Sequence, residues 1–220
     1  MDRWVVIATE RAKRPNDFVK QKVMTFQKDA KCPMCPGNEH MTPPAVLVYL
    51  PSTKGNIIKT KDDGEYRHKD WLVRCVPNLY PAFSAPKNQS DILEKLNGKH
   101  FGYAFGHHEV LIESPDHFSH PAETSLEQLT YVINAYKDRL SELLKKSYVK
   151  YVQIFRNHGV EAGASQSHPH SQIITTPFTP PNISQELNAS KNYWNMNKRC
   201  LMCSIVDREL YTSRLIAKND

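Results

Sequence analysis

Along the first two-thirds of the chain, apolar residues come in short runs broken by polar turns, a pattern that predicts strands rather than long helices. Residues 3–8 (Arg-Trp-Val-Val-Ile-Ala), 45–50 (Ala-Val-Leu-Val-Tyr-Leu) and 71–75 (Trp-Leu-Val-Arg-Cys) each read as a strand, with Asp62-Asp63-Gly64 as a turn between the last two. Another strand is expected over residues 101–113, centred on Glu109-Val-Leu-Ile-Glu113 and broken by Ser114-Pro115. The period then changes. Leu126, Leu129, Val132, Ile133, Tyr136, Leu140 and Leu144 recur at helical spacing. They predict an amphipathic helix from a Thr124 or Ser125 cap, with Glu127 as the cap's partner, to about residue 146. It should cover one face of the sheet. A strand over residues 149–155 follows, and Ile173-Ile174 continue in strand until Pro177, Pro180 and Pro181 stop it. Residues 182–198, rich in Asn, Lys and Ser, read as a linker or short helix.

Antiparallel hairpins packed by a helix make an α+β fold, and 220 residues suit one medium domain or two small ones. No stretch approaches the roughly 18 apolar residues of a membrane span. The amino terminus lacks a long apolar core followed by a small-residue cleavage site, so a cytoplasmic location is expected. The net charge of +6 is carried by scattered lysines. An anionic small substrate accounts for it as well as nucleic acid does, and no nucleic-acid partner is expected.

Five cysteines, an odd number, argue against a disulfide framework. Four form two C-x-x-C pairs, Cys32/Cys35 and Cys200/Cys203, and leave Cys75 in an apolar run as core. In a reducing compartment such pairs are metal ligands or redox motifs. For Cys32-Pro-Met-Cys35-Pro-Gly37 a metal is favoured over thioredoxin-like chemistry, because no βαβ context surrounds it and provided that two more ligands exist. No histidine follows His170, so Cys200 and Cys203 read as an unmetallated turn.

The richest chemistry lies in Gly163-Ala-Ser-Gln-Ser-His168-Pro-His170-Ser-Gln172. If this stretch is extended, His168, His170 and Gln172 point to one face. Such a face suits phosphoryl transfer: an imidazole attacks phosphorus while an amide steadies the oxygens. A surface His-Pro-His turn is the plainer alternative. Arg11 and Arg14 sit in a basic loop that could clamp phosphate oxygens or simply be solvated. Pro77-Asn78-Leu79-Tyr80-Pro81 forms a tight loop that could hold a flat base or merely cap a strand. His107 and His108 would face opposite ways, so at most one could serve a common site, and both read as local structure.

Cys32-x-x-Cys35, Pro77-Asn-Leu-Tyr-Pro81, Glu113-Ser-Pro-Asp-His117, Asn157-x-Gly159 and Gly163-x-Ser165-x-x-His168-Pro-His170-Ser-Gln172 occur in this order. Together they resemble the amino-terminal half of the galactose-1-phosphate uridylyltransferase family, within the histidine-triad superfamily. The resemblance implies an HIT-like antiparallel sheet with packed helices, one lobe of a usually two-lobed enzyme. Residues 1–181 would form that domain, and 182–220 a linker and the start of a second lobe.

The resemblance further implies that Cys32, Cys35, His117 and His168 hold a structural zinc, and that His170 is the nucleophile that accepts a nucleotidyl group. Gln172 would hydrogen-bond the phosphate of that intermediate. Asn157, Gly163 and Ser165 would hold the α-phosphate, and Asn78 would belong to the base pocket. Arg11 and Arg14 resemble residues that reach a neighbouring subunit's site, which implies a homodimer. The implied reaction exchanges UMP between a sugar nucleotide and a hexose 1-phosphate by ping-pong steps. Ser171 and the Asn-Leu-Tyr-Pro form resemble instead the adenylyl-transferring ADP-glucose phosphorylases.

Overall fold

The structure, a computed structural model, describes residues 5–6, 32–53, 56–87, 105–159, 161–164 and 166–218. Arg11, Arg14 and Ser165 lie outside the described residues, as does nearly all of the strand expected over residues 3–8. Among the described residues, six strands form one sheet: β1 (Leu47–Pro51), β2 (Ile57–Thr60), β3 (Val73–Pro77), β4 (His108–Ile112), β5 (Tyr151–Phe155) and β6 (His170–Thr176). Their order across the sheet is β2-β1-β3-β4-β6-β5, and every pairing is antiparallel.

Side chains alternate across this sheet and divide its work. Tyr49, Val73, Cys75, Leu111 and Ile173 point to one face, where helix α1 (Leu126–Leu143) covers them with Val132, Ala135 and Leu143. Each fully buried aliphatic side chain there contributes roughly 1.5–3 kcal/mol relative to exposure. A smaller cluster of Ala45, Val48, Trp71, Val76, Val110 and Ile112 packs on the opposite side. In register with it stand the cross-strand pairs Ile112–His170, Val110–Gln172 and His108–Ile174. The polar residues of interest therefore share the face that α1 leaves open.

The cap of α1 differs from the expected one. Ser125 is the N-cap and accepts from the Gln128 backbone N–H, but Glu127 bonds the Tyr131 hydroxyl instead of closing a capping box. The Gln128 side chain reaches away to the carbonyls of Leu72 and Glu113 and ties the helix start to the sheet. The buried stripe is also rotated from the expected one. Leu126 and Ile133 are exposed, whereas Arg139 is buried in a two-pronged pair with Glu109 at 2.6 and 2.8 Å. A charged residue that brings its own counter-charge into the core is invisible to a count of apolar positions.

Gly106, just before β4, allows a close approach. A Cβ built there would lie 2.1 Å from the Thr175 carbonyl oxygen, so only glycine fits against β6.

The unit that holds the sheet ends at Phe178, and from Thr179 onward the chain forms a second one. Residues 182–198, expected as a linker or short helix, fall in the 17-residue helix α2 (Pro181–Asn197) and its C-cap. Pro181 opens it without losing a needed hydrogen bond, no proline or glycine interrupts it, and Lys198 ends it in the left-handed conformation. Helix α3 (Leu201–Glu209) follows, so Cys200 is an N-cap and Cys203 lies in a first helical turn, both exposed, where a turn was expected. No described helix is long and apolar enough to cross a membrane.

Candidate active site and metal cluster

Cys32 and Cys35 stand in a tight knuckle closed by the Cys35 N–H to the Cys32 carbonyl and by the Asn38 amide to the same oxygen. Glu39 fastens the knuckle to the sheet. Its carboxylate takes the Gly37 N–H and, at 2.9 Å, the indole N–H of Trp71. Arg74 donates to the Thr42 hydroxyl at 3.2 Å and to Asp62 at 2.7 Å, and both charges are buried.

Against this knuckle lie His117, from the turn after β4, and His168, just ahead of β6. The four donor atoms all fall within 4.8 Å of one another. Sγ of Cys35 is 3.2 Å from Nδ1 of His117 and 3.6 Å from Nδ1 of His168, and Sγ of Cys32 is 3.8 Å from the latter. A tetrahedral zinc with ordinary bond lengths would set sulfur and nitrogen about 3.5 Å apart. The cluster could thus hold a metal ion, and its two thiolates and two imidazoles suit zinc.

The outer nitrogens agree. Nε2 of His168 donates to the Ser114 carbonyl at 2.8 Å, so that ring turns its Nδ1 lone pair inward, and Nε2 of His117 is 2.9 Å from the Ser167 hydroxyl, a partner able to accept its proton. Burial pushes the His168 pKa down to about 4, which keeps that lone pair available at neutral pH.

Two residues on, His170 begins β6. Its Nδ1 is 2.8 Å from the His168 carbonyl oxygen, an acceptor only, so Nδ1 carries the proton and Nε2 the lone pair. His170 and Gln172 line a slot of about 200 Å³. One wall is the knuckle loop, with Pro33, Met34 and Met41, and the other is the loop of Leu79 and Tyr80.

Of the expected site residues, Asn78, Gly163, His170 and Gln172 line this slot together. Gly163, at φ +81°, does so in a conformation that favours glycine. Asn157 is half-buried two residues past β5 and is not among the lining residues. Asn78 spends its side-chain oxygen on the Tyr80 N–H at 2.8 Å, which shapes its own loop.

Three features escaped the sequence reading: Gln166 in the slot, the knuckle as a wall of it, and His108. The ring of His108 is buried beneath the slot, 2.8 Å from the Gln172 side-chain oxygen. Its parity with Gln172 depends on the β4–β6 register, which no local pattern reveals.

Comparison with known proteins follows the same residues. Residues 73–180 match the family described as galactose-1-phosphate uridyl transferase, N-terminal domain. The chain is 32% identical to an ADP-glucose phosphorylase of Arabidopsis thaliana over 92% of its length and 54% of that protein's. It is 30% identical to a galactose-1-phosphate uridylyltransferase of Haemophilus influenzae, over 96% of the chain and 54% of the relative. A crystal structure of an Arabidopsis thaliana ADP-glucose phosphorylase with bound ADP-glucose superposes with a TM-score of 0.63 at 30% identity, covering 93% of this chain and 55% of that one. The chain spans about half the length of the curated relatives it matches.

Proposed function

Over residues 73–180 the chain belongs to the galactose-1-phosphate uridylyltransferase family, and on that premise we propose that it is a nucleotidyltransferase working through a covalent nucleotidyl-histidine at His170. The observation that carries the reading is the 2.8 Å contact of His170 Nδ1 with the His168 carbonyl. It fixes the tautomer in which Nε2 is the nucleophile and supplies an acceptor for the N–H of a ring that turns cationic on attack.

In the first step, Nε2 bonds to the α-phosphorus of a sugar nucleotide while the bond from that phosphorus to the bridging oxygen breaks. The bridging oxygen leaves with the β-phosphate as a hexose 1-phosphate. A phosphate oxygen of a second hexose 1-phosphate then attacks the same phosphorus, and the P–N bond breaks. Gln172 steadies the phosphoryl oxygens, and Asn78, Leu79 and Tyr80 border the base. The reading extends to Arg11, Arg14, Asn157 and Ser165 as further phosphate contacts and to a homodimer in which the arginines reach the partner's site. Residues 182–220 would begin a second lobe.

Cys32, Cys35, His117 and His168 would hold a zinc with four protein ligands, which would leave no open position and make its role structural. With His168 so held, the chain two residues before the nucleophile would be stiffened.

The transferred group is assigned as UMP, from UDP-glucose to a hexose 1-phosphate. Adenylyl transfer by an ADP-sugar or dinucleoside-polyphosphate phosphorylase is the second reading. It is favoured by 32% identity to an ADP-glucose phosphorylase and by Ser171 between His170 and Gln172. Mass spectrometry after exposure to UDP-glucose and to ADP-glucose separates them, since the mass gained identifies the nucleotide. An acid-labile adduct at His170 is expected. No adduct from either, with ligand still bound, would make the chain a zinc-stapled binding module instead.

A further inference from the structure

We propose that His108 is a positioning residue for Gln172, holding its amide so that the NH₂ group rather than the carbonyl oxygen is presented to the slot. The functional meaning rests on the nucleotidyl-transfer reading, and the physical content rests on the ring geometry alone.

His108 is 4% exposed and lies on β4 opposite Ile174, one pair along the same face from Val110–Gln172. The backbone N–H of Ala82 meets its Nδ1 at 3.0 Å. A backbone N–H can only donate, so Nδ1 carries a lone pair and the ring proton sits on Nε2. Nε2 lies 2.8 Å from Gln172 Oε1, which accepts that proton. The amide nitrogen of Asn78, 3.1 Å from the same Nε2, therefore meets an N–H and takes no proton-sharing role with it in this tautomer.

With its carbonyl engaged from below, Gln172 offers its amide hydrogens to the slot that it lines. That polarity matters for a phosphoryl ligand, whose unbridged oxygens accept hydrogen bonds and donate none. A glutamine turned the other way would set its carbonyl against those oxygens. The choice between donor and acceptor is thus made at a backbone N–H on the far side of a buried ring. His108 also takes the Asn78 N–H on its carbonyl at 2.8 Å, so the same residue pins the loop that carries Tyr80.

Two measurements test this. In the full chain labelled with ¹⁵N-histidine, the His108 ring, assigned by its loss in His108→Gln, should show a bare Nδ1 and a protonated Nε2 at pH 7. A proton on Nδ1 overturns the assignment whether or not the protein turns over. In the second, the rate of adduct formation from UDP-glucose or ADP-glucose should fall roughly ten- to a hundredfold in His108→Ala. His108→Gln, which can place an amide N–H where Nε2 was, should recover most of it. In a Gln172→Ala background, His108→Ala should then cost nothing further. Losses that multiply in the double variant would show His108 acting independently of Gln172 and would overturn the proposal. Absence of adduct in the unmutated chain would defeat the transfer reading, while the ring spectrum would still decide the tautomer.

Discussion

The Nδ1 of His170 lies 2.8 Å from the carbonyl oxygen of His168, so the residue whose ring joins the metal cluster also orients the proposed nucleophile with its backbone. Rigidity at the cluster would be handed directly to the His170 ring. His170→Ala should therefore abolish the nucleotidyl adduct while leaving metal content unchanged and the melting temperature within a few degrees, because His170 is no ligand. Mass spectrometry, atomic absorption and a thermal melt check the three readouts together.

Cys32→Ser should lower metal content and stability as one event. Loss of a few kcal/mol in a chain of this size moves the midpoint by roughly 10 °C. Nucleotide binding should weaken too, since Pro33 and Met34, between the two thiolates, also wall the slot. A full equivalent of zinc retained by this variant would remove Cys32 from the ligand set.

Asp62 holds Arg74, which also donates to the Thr42 hydroxyl. Burial alone would raise its pKa, but hydrogen bonds from the Ala45 and His68 N–H groups and from Arg74 outweigh burial and hold it below the usual carboxylate range. A depressed pKa adds stability that is complete above the unfolded value, about pH 4, and fades as pH falls through the folded one. Asp62→Asn leaves Arg74 buried without its closest counter-charge and should cost about 3–5 kcal/mol near neutral pH. Urea unfolding at a series of pH values should show the gap between variant and parent narrowing in acid.

Gly106→Ala and Gly163→Ala should differ in kind. The first drives a methyl group to 2.1 Å from the Thr175 carbonyl and should cost at least the 1–3 kcal/mol typical of overpacking. The second meets open space and pays only for its left-handed backbone, about 1–2 kcal/mol. Chemical denaturation of the two variants side by side reads the contrast.

Strands β1, β3, β4 and β5 and helix α1 were legible because each carries a local period. The phase of α1 was not, because Arg139 enters the core with Glu109 and apolar counting ignores such a pair. Helix α2 stayed open between a linker and a short helix because its Asn and Ser residues mimic a linker, although nothing in it breaks a helix. Cys32, Cys35, His117 and His168 could be grouped only by their resemblance to a family. Spacing joined the two cysteines but not the histidines, which arrive from distant turns. His108 lay beyond reach for a related reason: its partner is chosen by a pairing between strands more than sixty positions apart.

Because successive side chains on β6 alternate between the open face and α1, the spacing from His168 to Gln172 admits no change in length. Deleting or inserting one residue there would turn His170 and Gln172 into the greasy underside and lift Ser171 and Ile173 toward the slot. Surface loops elsewhere can grow or shrink in evolution, but this short span behaves as a reading frame.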